Sequence, residues 1–481
     1  MNRVLLCLLA CALAFGFCGP GCMRVGPDYT RPDPGMEMPE RFLSDTGEQT
    51  AVPADLHRWW EAFDDPYLNQ AVMQVVFHNP DIVRAAARVM EARAAVTRIG
   101  ADRYPSLDFN ASRSRQQQNV VEPFSGQRVS VETDTYSLSM PASFELDLWG
   151  RLARASEAAR ADLLAAGQNR RTVVQSLVAE TVNLYLQIRS LREQIELTRN
   201  LVAAYEQNRE LVERRYERGL VSVLDVHQIR RSLARARSQL PALVRTRGQA
   251  AHALAVLQGR YPDPKILKPG PAGKFPSLPP VPAGLPAQLL EQRPDIREAE
   301  AALEAACARI GVARAARLPQ ITLTGSFGYT SDQFDTLLDP ASQLWQIAAG
   351  AFQPLFDAGR RAAAEQEALA RYRQQEAVYA KTVLDALAEV EDALLSRQQL
   401  IEQHRRLQSL VSEAGATLDS AENRYQRGLV SYINVLDARQ ASFQAQLDLV
   451  EAQYAIFRNR VELHRALGGG WDQIQFHRKN S

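Results

Sequence analysis

The chain has 481 residues, 46% of them hydrophobic and 23% charged, with 25 Pro and 26 Gly; it is too apolar for a disordered chain and long enough for two or three domains. Past the first two dozen residues no run of 18 apolar residues occurs, which excludes a polytopic helical transporter. The 56 basic residues, 51 of them Arg, face 55 acids, a balance that provides no field for holding a polyanion and argues against a nucleic-acid partner.

Arg3, the uncharged apolar stretch from Val4 to Phe17 and the closing Gly19-Pro20-Gly21-Cys22 predict a secretory signal over residues 1–21. Four of the five cysteines lie in this leader or at its end, so the mature chain keeps Cys22 and the distant Cys307 and has no disulfide framework. A Cys at the cleavage point resembles a bacterial lipoprotein signal, which makes Cys22 the expected acylated N-terminus. Gly19 stands where such signals usually carry Leu, and an ordinary signal peptide with an incidental Cys is the alternative.

The mature chain is written twice. Tyr216-Glu217-Arg218-Gly219-Leu220-Val221-Ser222 recurs as Tyr425-Gln426-Arg427-Gly428-Leu429-Val430-Ser431. Gly150-Arg151 and Ala179-Glu180 recur at the same offset of 209, whereas Pro80-Asp81-Ile82 and Pro105 recur at an offset of 214. The difference of five assigns the first copy a longer loop between Pro105 and Gly150. Two tandem units of about 200 residues follow.

Each copy has the same internal order. Pro80 and Pro294 open Ala-rich helices, where a missing N–H costs nothing, and Pro105 and Pro319 end them. The period then changes to two. Leu107, Phe109 and Ala111 alternate with polar residues, as do Tyr136, Leu138, Met140, Ala142 and Phe144; Ile321, Leu323, Phe327 and Tyr329 answer in the second copy, with Trp345, Ile347, Ala349 and Ala351. This predicts two strands per copy, four in all, each with one apolar face. From Arg151 to Arg218 there is no Pro, and 68 residues of helix make a rod of roughly 100 Å. Its apolar residues (Val174, Leu177, Leu184, Ile188, Leu191, Ile195, Val202, Tyr205, Val212, Tyr216) step by three and four as a coiled-coil seam. Gly219 ends it, Ser222 caps the return helix from Val223 to Leu257, and 360–427 with 432–467 repeat the hairpin.

The resulting division is a signal over 1–21, an extended arm over 22–66 and a first repeat over 67–259, with strands in 105–147 and a tip at 216–222. A Pro-rich linker over 260–286 leads to a second repeat over 287–468, with strands in 319–356 and a tip at 425–431, and a tail over 469–481. A soluble antiparallel sheet would need its apolar face covered, yet the helices are committed to their seams. In a bilayer the sheet must close, and four strands are too few when small barrels need about eight. The residues therefore favour a membrane barrel shared by several chains. Leu220-Val221 and Leu429-Val430 put aliphatic side chains at an exposed rod end, as a partner-binding surface would.

Cys22-Met23-Arg24-Val25-Gly26-Pro27-Asp28-Tyr29-Thr30-Arg31-Pro32, Trp59-Trp60-Glu61-Ala62-Phe63, Phe144-Glu145-Leu146-Asp147-Leu148-Trp149-Gly150-Arg151, Pro354-Leu355-Phe356-Asp357-Ala358-Gly359-Arg360 and both Tyr-x-Arg-Gly-Leu-Val-Ser turns resemble the TolC-like outer-membrane efflux family, in the lipoprotein branch typified by OprM and NodT. The resemblance covers Cys22 to about Leu467. It implies a mixed α/β membrane protein: a homotrimer whose twelve strands form one outer-membrane barrel, continued by a coiled-coil periplasmic tunnel. It implies as partners a periplasmic adaptor docked on Gly219, Leu220, Val221, Ser222, Gly428, Leu429, Val430 and Ser431, an inner-membrane pump of RND type, and outer-membrane lipid. It carries the periplasmic gate over to Asp225 and Tyr425, with Asp225 accepting from the Tyr425 hydroxyl. The Arg that some members place two after the second Gly is Val430 here, so Arg424 or Arg427 would have to substitute.

No enzyme motif accompanies these features. The seven His show no ligand-like pairing, and Gly270-Pro271-Ala272-Gly273-Lys274-Phe275 lacks the spacing and the Ser/Thr of a phosphate loop. Cys307, among small helical neighbours, reads as buried rather than reactive. No metal or cofactor is expected beyond the N-terminal lipid. The function indicated is a passive exit duct for drugs or other small toxic solutes. The alternatives are a type I protein-secretion conduit and, in a different class, a lipid-anchored periplasmic adaptor without a pore.

Overall fold

The computed structural model describes residues 24–33, 38–44, 58–121, 124, 126–263 and 286–470. The leader, Cys22, most of the Pro-rich linker with its Gly270–Phe275 segment, and residues 471–481 lie outside them. In chain order the principal elements are α1 (Pro66–His78), α2 (Pro80–Ala101), β1 (Ser106–Leu107), β2 (Asn110–Val121), β3 (Arg128–Leu146), α3 (Arg151–Glu217) and α4 (Val223–Leu257). The second copy supplies α5 (Pro294–Ala315), β4 (Gln320–Ser331), β5 (Gln343–Phe352), α6 (Arg360–Gln426) and α7 (Tyr432–Ala466).

The first copy thus opens with two helices, not one. Asn79 separates them, its side-chain oxygen accepting from the amides of Asp81 and Ile82, and Pro80 takes the first helical position. The arm ends in a 3-10 turn, Trp59–Phe63, whose aromatic rings are buried. The first copy also has three strand segments where two were predicted. β1 and β2 keep one register against β3; they part opposite Pro141, which has no N–H to donate and accepts from Asp108 through its carbonyl. The five-residue excess of the first copy extends the β2–β3 ladder to Val121 and Arg128 rather than lengthening a loop.

The chain forms two compact units, and each draws segments from both sequence copies. One unit comprises Met1–Asp33, Arg88–Ala166 and Glu298–Tyr379. It holds a single antiparallel sheet in which β3 pairs β4, β4 pairs β5, and β1 and β2 pair β3. Two strands from either copy alone would be marginal, so the sequence repeat is not the folding unit. Beneath the strand ends, the segment over residues 24–33 is strapped to α3 and α5. The Val25 amide donates to the Trp149 carbonyl at 3.1 Å, the buried Arg154 guanidinium donates to Asp28 and Glu157, and Arg31 forms a bidentate pair with Glu300. Gly26, at φ +106°, crosses Gly311 so closely that a Cβ there would stand 2.5 Å from the Gly311 Cα. Cys307 is buried against this strap, its thiol donating to the Pro27 carbonyl, and burial raises its pKa.

The other unit comprises Pro34–Ala87, Gly167–Arg297 and Ala380–Ser481. One of its cores gathers Trp59, Trp60 and Phe63 with α1 residues Leu68, Val72 and Val76, α3 residues Val174, Val178 and Val182, and Phe457 and Val461 of α7. A second core joins both helical hairpins through Leu201, Tyr205 and Val212 of α3, Val226, Ile229 and Leu233 of α4, and Tyr432, Val435, Leu436 and Phe443 of α7. Half of the predicted seam (Val174, Leu177, Val202, Tyr205 and Val212) lines these cores, Ile188 and Leu184 pack with Ala250, Ala251 and Leu254 of α4 in a third, and Tyr216 is exposed.

Candidate functional site

Two features were singled out as functional, the sheet and the helical tips. The register of the sheet places Met140, Phe327 and Trp345 in one row, Ala142, Gly325 and Ile347 in the next, then Phe144, Leu323 and Ala349, then Leu146, Ile321 and Ala351. All share one face, because directly opposed antiparallel residues point the same way. The opposite face carries Pro141, Ser326 and Gln346, then Ser143, Thr324 and Ala348, then Glu145, Thr322 and Gly350; its large hydrophobes lie outside these rows, Leu344 opposite Gly328, Phe352 opposite Gln320, and valines further along the β2–β3 hairpin. On the apolar face Trp345 is 70% and Ile347 78% exposed. The band runs from Leu146 to Tyr136, where it stops abruptly. Beyond it on the same face Arg113 pairs with Asp134 and Arg115 with Glu132, and the Arg113 guanidinium lies 5.2 Å from the Tyr136 ring centre. Ten residue steps span ~33 Å along a strand, or ~25 Å of height at a 40–45° tilt, the height of a barrel's lipid band. Among the described residues, β2 and β5 each pair on one side only.

At the tips, Gly219 (φ +70°) and Gly428 (φ +73°) adopt left-handed backbone. Their amides donate to the carbonyls of Tyr216 and Tyr425, and those of Leu220 and Leu429 to Arg215 and Arg424, the paired bonds of a Schellman C-cap. Leu220 and Leu429 are exposed, as are Val223 and Leu224, which the sequence reading did not single out; Val221 is instead half-buried against the hairpin core. Val430, Ser222 and Ser431 lie in the same two turns, Ser222 and Ser431 as the N-caps of α4 and α7.

The expected bond between Asp225 and Tyr425 does not form within the chain. The Asp225 carboxylate accepts from the Ser222 amide at 2.9 Å and from the Ser222 hydroxyl at 2.8 Å, while its own amide donates back to Ser222. This is a capping box, and a side chain three residues into a helix is held by its own N-cap. The Tyr425 hydroxyl is buried and has no hydrogen-bond partner among the described residues. Its ring lies 5.1 Å from Tyr432 and beneath the Arg215 guanidinium at 5.3 Å. Arg215 is therefore the arginine at this tyrosine, whereas Arg424 and Arg427 are exposed. Both hairpins carry an ion pair at equivalent positions, Arg230 with Glu213 and Arg439 with Glu422, and Arg237 with Glu206 adds a second across the first hairpin. Both partners of the equivalent pairs are related by the 209-residue offset, a signal that could have revealed these pairs in the sequence.

With this geometry in hand, comparison with known proteins is decisive. The outer membrane efflux protein family matches residues 72–260 and 285–469. The chain belongs to that family. The chain is similar to the cation efflux system protein CusC of Escherichia coli O6:H1, at 35% identity with 94% of this chain and 96% of CusC covered. It is also similar to a probable outer membrane lipoprotein, SilC, of Salmonella typhimurium, at 34% identity with 94% and 96% covered. Among solved structures, the outer-membrane channel OprN superposes with a TM-score of 0.86 at 30% identity, over 93% of this chain and 99% of that one. The protein is accordingly an outer-membrane efflux channel of a Gram-negative cell, a transport duct and not an enzyme, and works as the outer-membrane component of a system that also has an adaptor and an inner-membrane pump.

Proposed function

We propose that three copies of the chain close a single twelve-stranded barrel, a passive exit duct for drugs or other small toxic solutes driven by an RND-type pump. The sheet carries this reading. It has one apolar face of membrane height, one polar face fit to line water, and two edges whose unpaired N–H and C=O groups would each cost several kcal/mol in hydrocarbon. Pairing β5 of one copy with β2 of the next removes every edge.

The strap supports an N-terminal lipid. Cys22 lies three residues before Val25, and three residues reach ~10 Å at most, so acyl chains on Cys22 would enter the bilayer beside the strand ends near Trp149. Several chains at roughly 0.8 kcal/mol per buried CH₂ anchor firmly. No other cofactor is required. The exposed aliphatic and Arg-bearing tips are the surface for the periplasmic adaptor. Tyr425 belongs to the gate, its buried hydroxyl available to a neighbouring coil, while Asp225 serves the gate through the geometry of the turn it caps.

Native mass spectrometry of detergent-extracted protein tests the assembly. Three chains per particle, each with an acylated N-terminal peptide, are expected; a stable monomer with a formed sheet would overturn the barrel.

A further inference from the structure

We propose that the elongated β2–β3 hairpin forms a valine collar across the outer mouth of the duct, gathered from other copies of this chain. The inference rests on the oligomeric barrel proposed above.

In the second copy the strands end at Ser331 and restart at Gln343, which the 214 and 209 offsets equate with Gln117 and Asp134. The first copy continues the ladder past those positions, pairing Gln118 with Val131, Val120 with Val129, and Val121 with Arg128. From Asp134 onward the two faces change character. On the lipid-facing side Arg113 pairs with Asp134 just before the added piece and Arg115 with Glu132 at its start, suited to water and headgroups, and Ser130, Asn119, Arg128 and Val121 follow. Val129, Val131 and Val120 continue the face of Ser137 and Ser139, the side that lines the lumen, and all three are exposed. Phe124 stands bare at the crest.

Above the membrane both faces of a hairpin meet water, and three valines facing an aqueous mouth need a cover. The protein on that side of the sheet is the same hairpin from the other copies. The reach is sufficient. The seven residue steps from Thr135 to Arg128 extend about 23 Å, against a radius of about 12 Å for twelve strands spaced ~4.8 Å and tilted ~40°. Hairpins leaning inward therefore meet near the axis, valines together and ion pairs outside.

Alternate positions supply the test. In the full chain isolated from outer membranes, Val129→Cys should form disulfide-linked pairs under mild oxidation, whereas Ser130→Cys, on the other face, should not. Independently, a Ser139→Cys thiol on the lumen face below the collar should react slowly with a bulky maleimide added outside whole cells, and several-fold faster when Val129→Asn and Val131→Asn are added. A trimer in which Val129→Cys couples no faster than Ser130→Cys, or in which the two Asn substitutions leave labelling unchanged, overturns the collar alone. Monomers by native mass spectrometry overturn the barrel and the collar together.

Discussion

His464 shows what burial does to one titratable residue. It is 3% exposed, its ring stacks on Trp59 at 5.0 Å and 11°, and neither ring nitrogen has a hydrogen-bond partner among the described residues. Burial, with Arg460 and Arg397 adding to it, pushes its pKa down to about 3. Unfolded, the ring takes up a proton near pH 6.5, so below that pH the unfolded chain binds a proton that the folded one refuses. Stability present above pH 6.5 is lost as pH falls towards the folded value, at about 1.4 kcal/mol per unit. Melting curves at pH 7.5 and pH 5 should therefore differ less for His464→Phe than for the parent chain. An equal pH effect in both would show that the imidazole is not held neutral.

At the scale of elements, the repeat places one interaction in two surroundings. The Arg230 side chain is 57% exposed and that of Arg439 17%, so the same staple is open in the first hairpin and largely enclosed in the second. An exposed pair contributes about 0–1 kcal/mol, whereas removing one partner of an enclosed charged bond costs about 1–3 kcal/mol. Arg439→Ala should accordingly lower the thermal midpoint clearly more than Arg230→Ala; equal losses would mean that the hairpins are enclosed alike in the assembly. The gate belongs to this scale too. Asp225→Ala removes a cap at a cost of about 1 kcal/mol and frays α4, so it mixes two effects. Tyr425→Phe removes only a hydroxyl. Single-channel recordings of the Tyr425→Phe trimer should show a higher conductance, and an unchanged trace would take that hydroxyl out of the gate.

At the scale of the whole molecule, the two faces of the sheet predict opposite responses to the same charge. Ile347 faces the apolar side and Gln346 the polar side. A Lys at the middle of the lipid band costs about 2–4 kcal/mol, while a Lys in a lumen meets water. Ile347→Lys should therefore reduce the amount of assembled trimer in outer membranes, and Gln346→Lys should leave assembly intact and change ion selectivity. Equal tolerance of both would mean that the apolar face does not meet lipid.

Periodicity and repetition make much of this protein legible in its sequence. The change from helical spacing to alternation marked the strands of both copies, because a strand with one buried face must alternate. The Gly turns marked the tips, because only glycine readily takes left-handed backbone at a helix end. What the sequence left open depended on residues far apart in the chain. Asp225 looked available to Tyr425, but a carboxylate three residues past an N-cap is claimed locally, and only the packed hairpins show Arg215 over the tyrosine. The two copies looked like two domains, but two strands bury too little alone, so each unit is built from both. The five extra residues looked like loop, and only register shows that they lengthen a ladder and reverse its faces. Composition and spacing determined which elements form; pairing and burial, which depend on long-range contacts, decided which residues remain free to act.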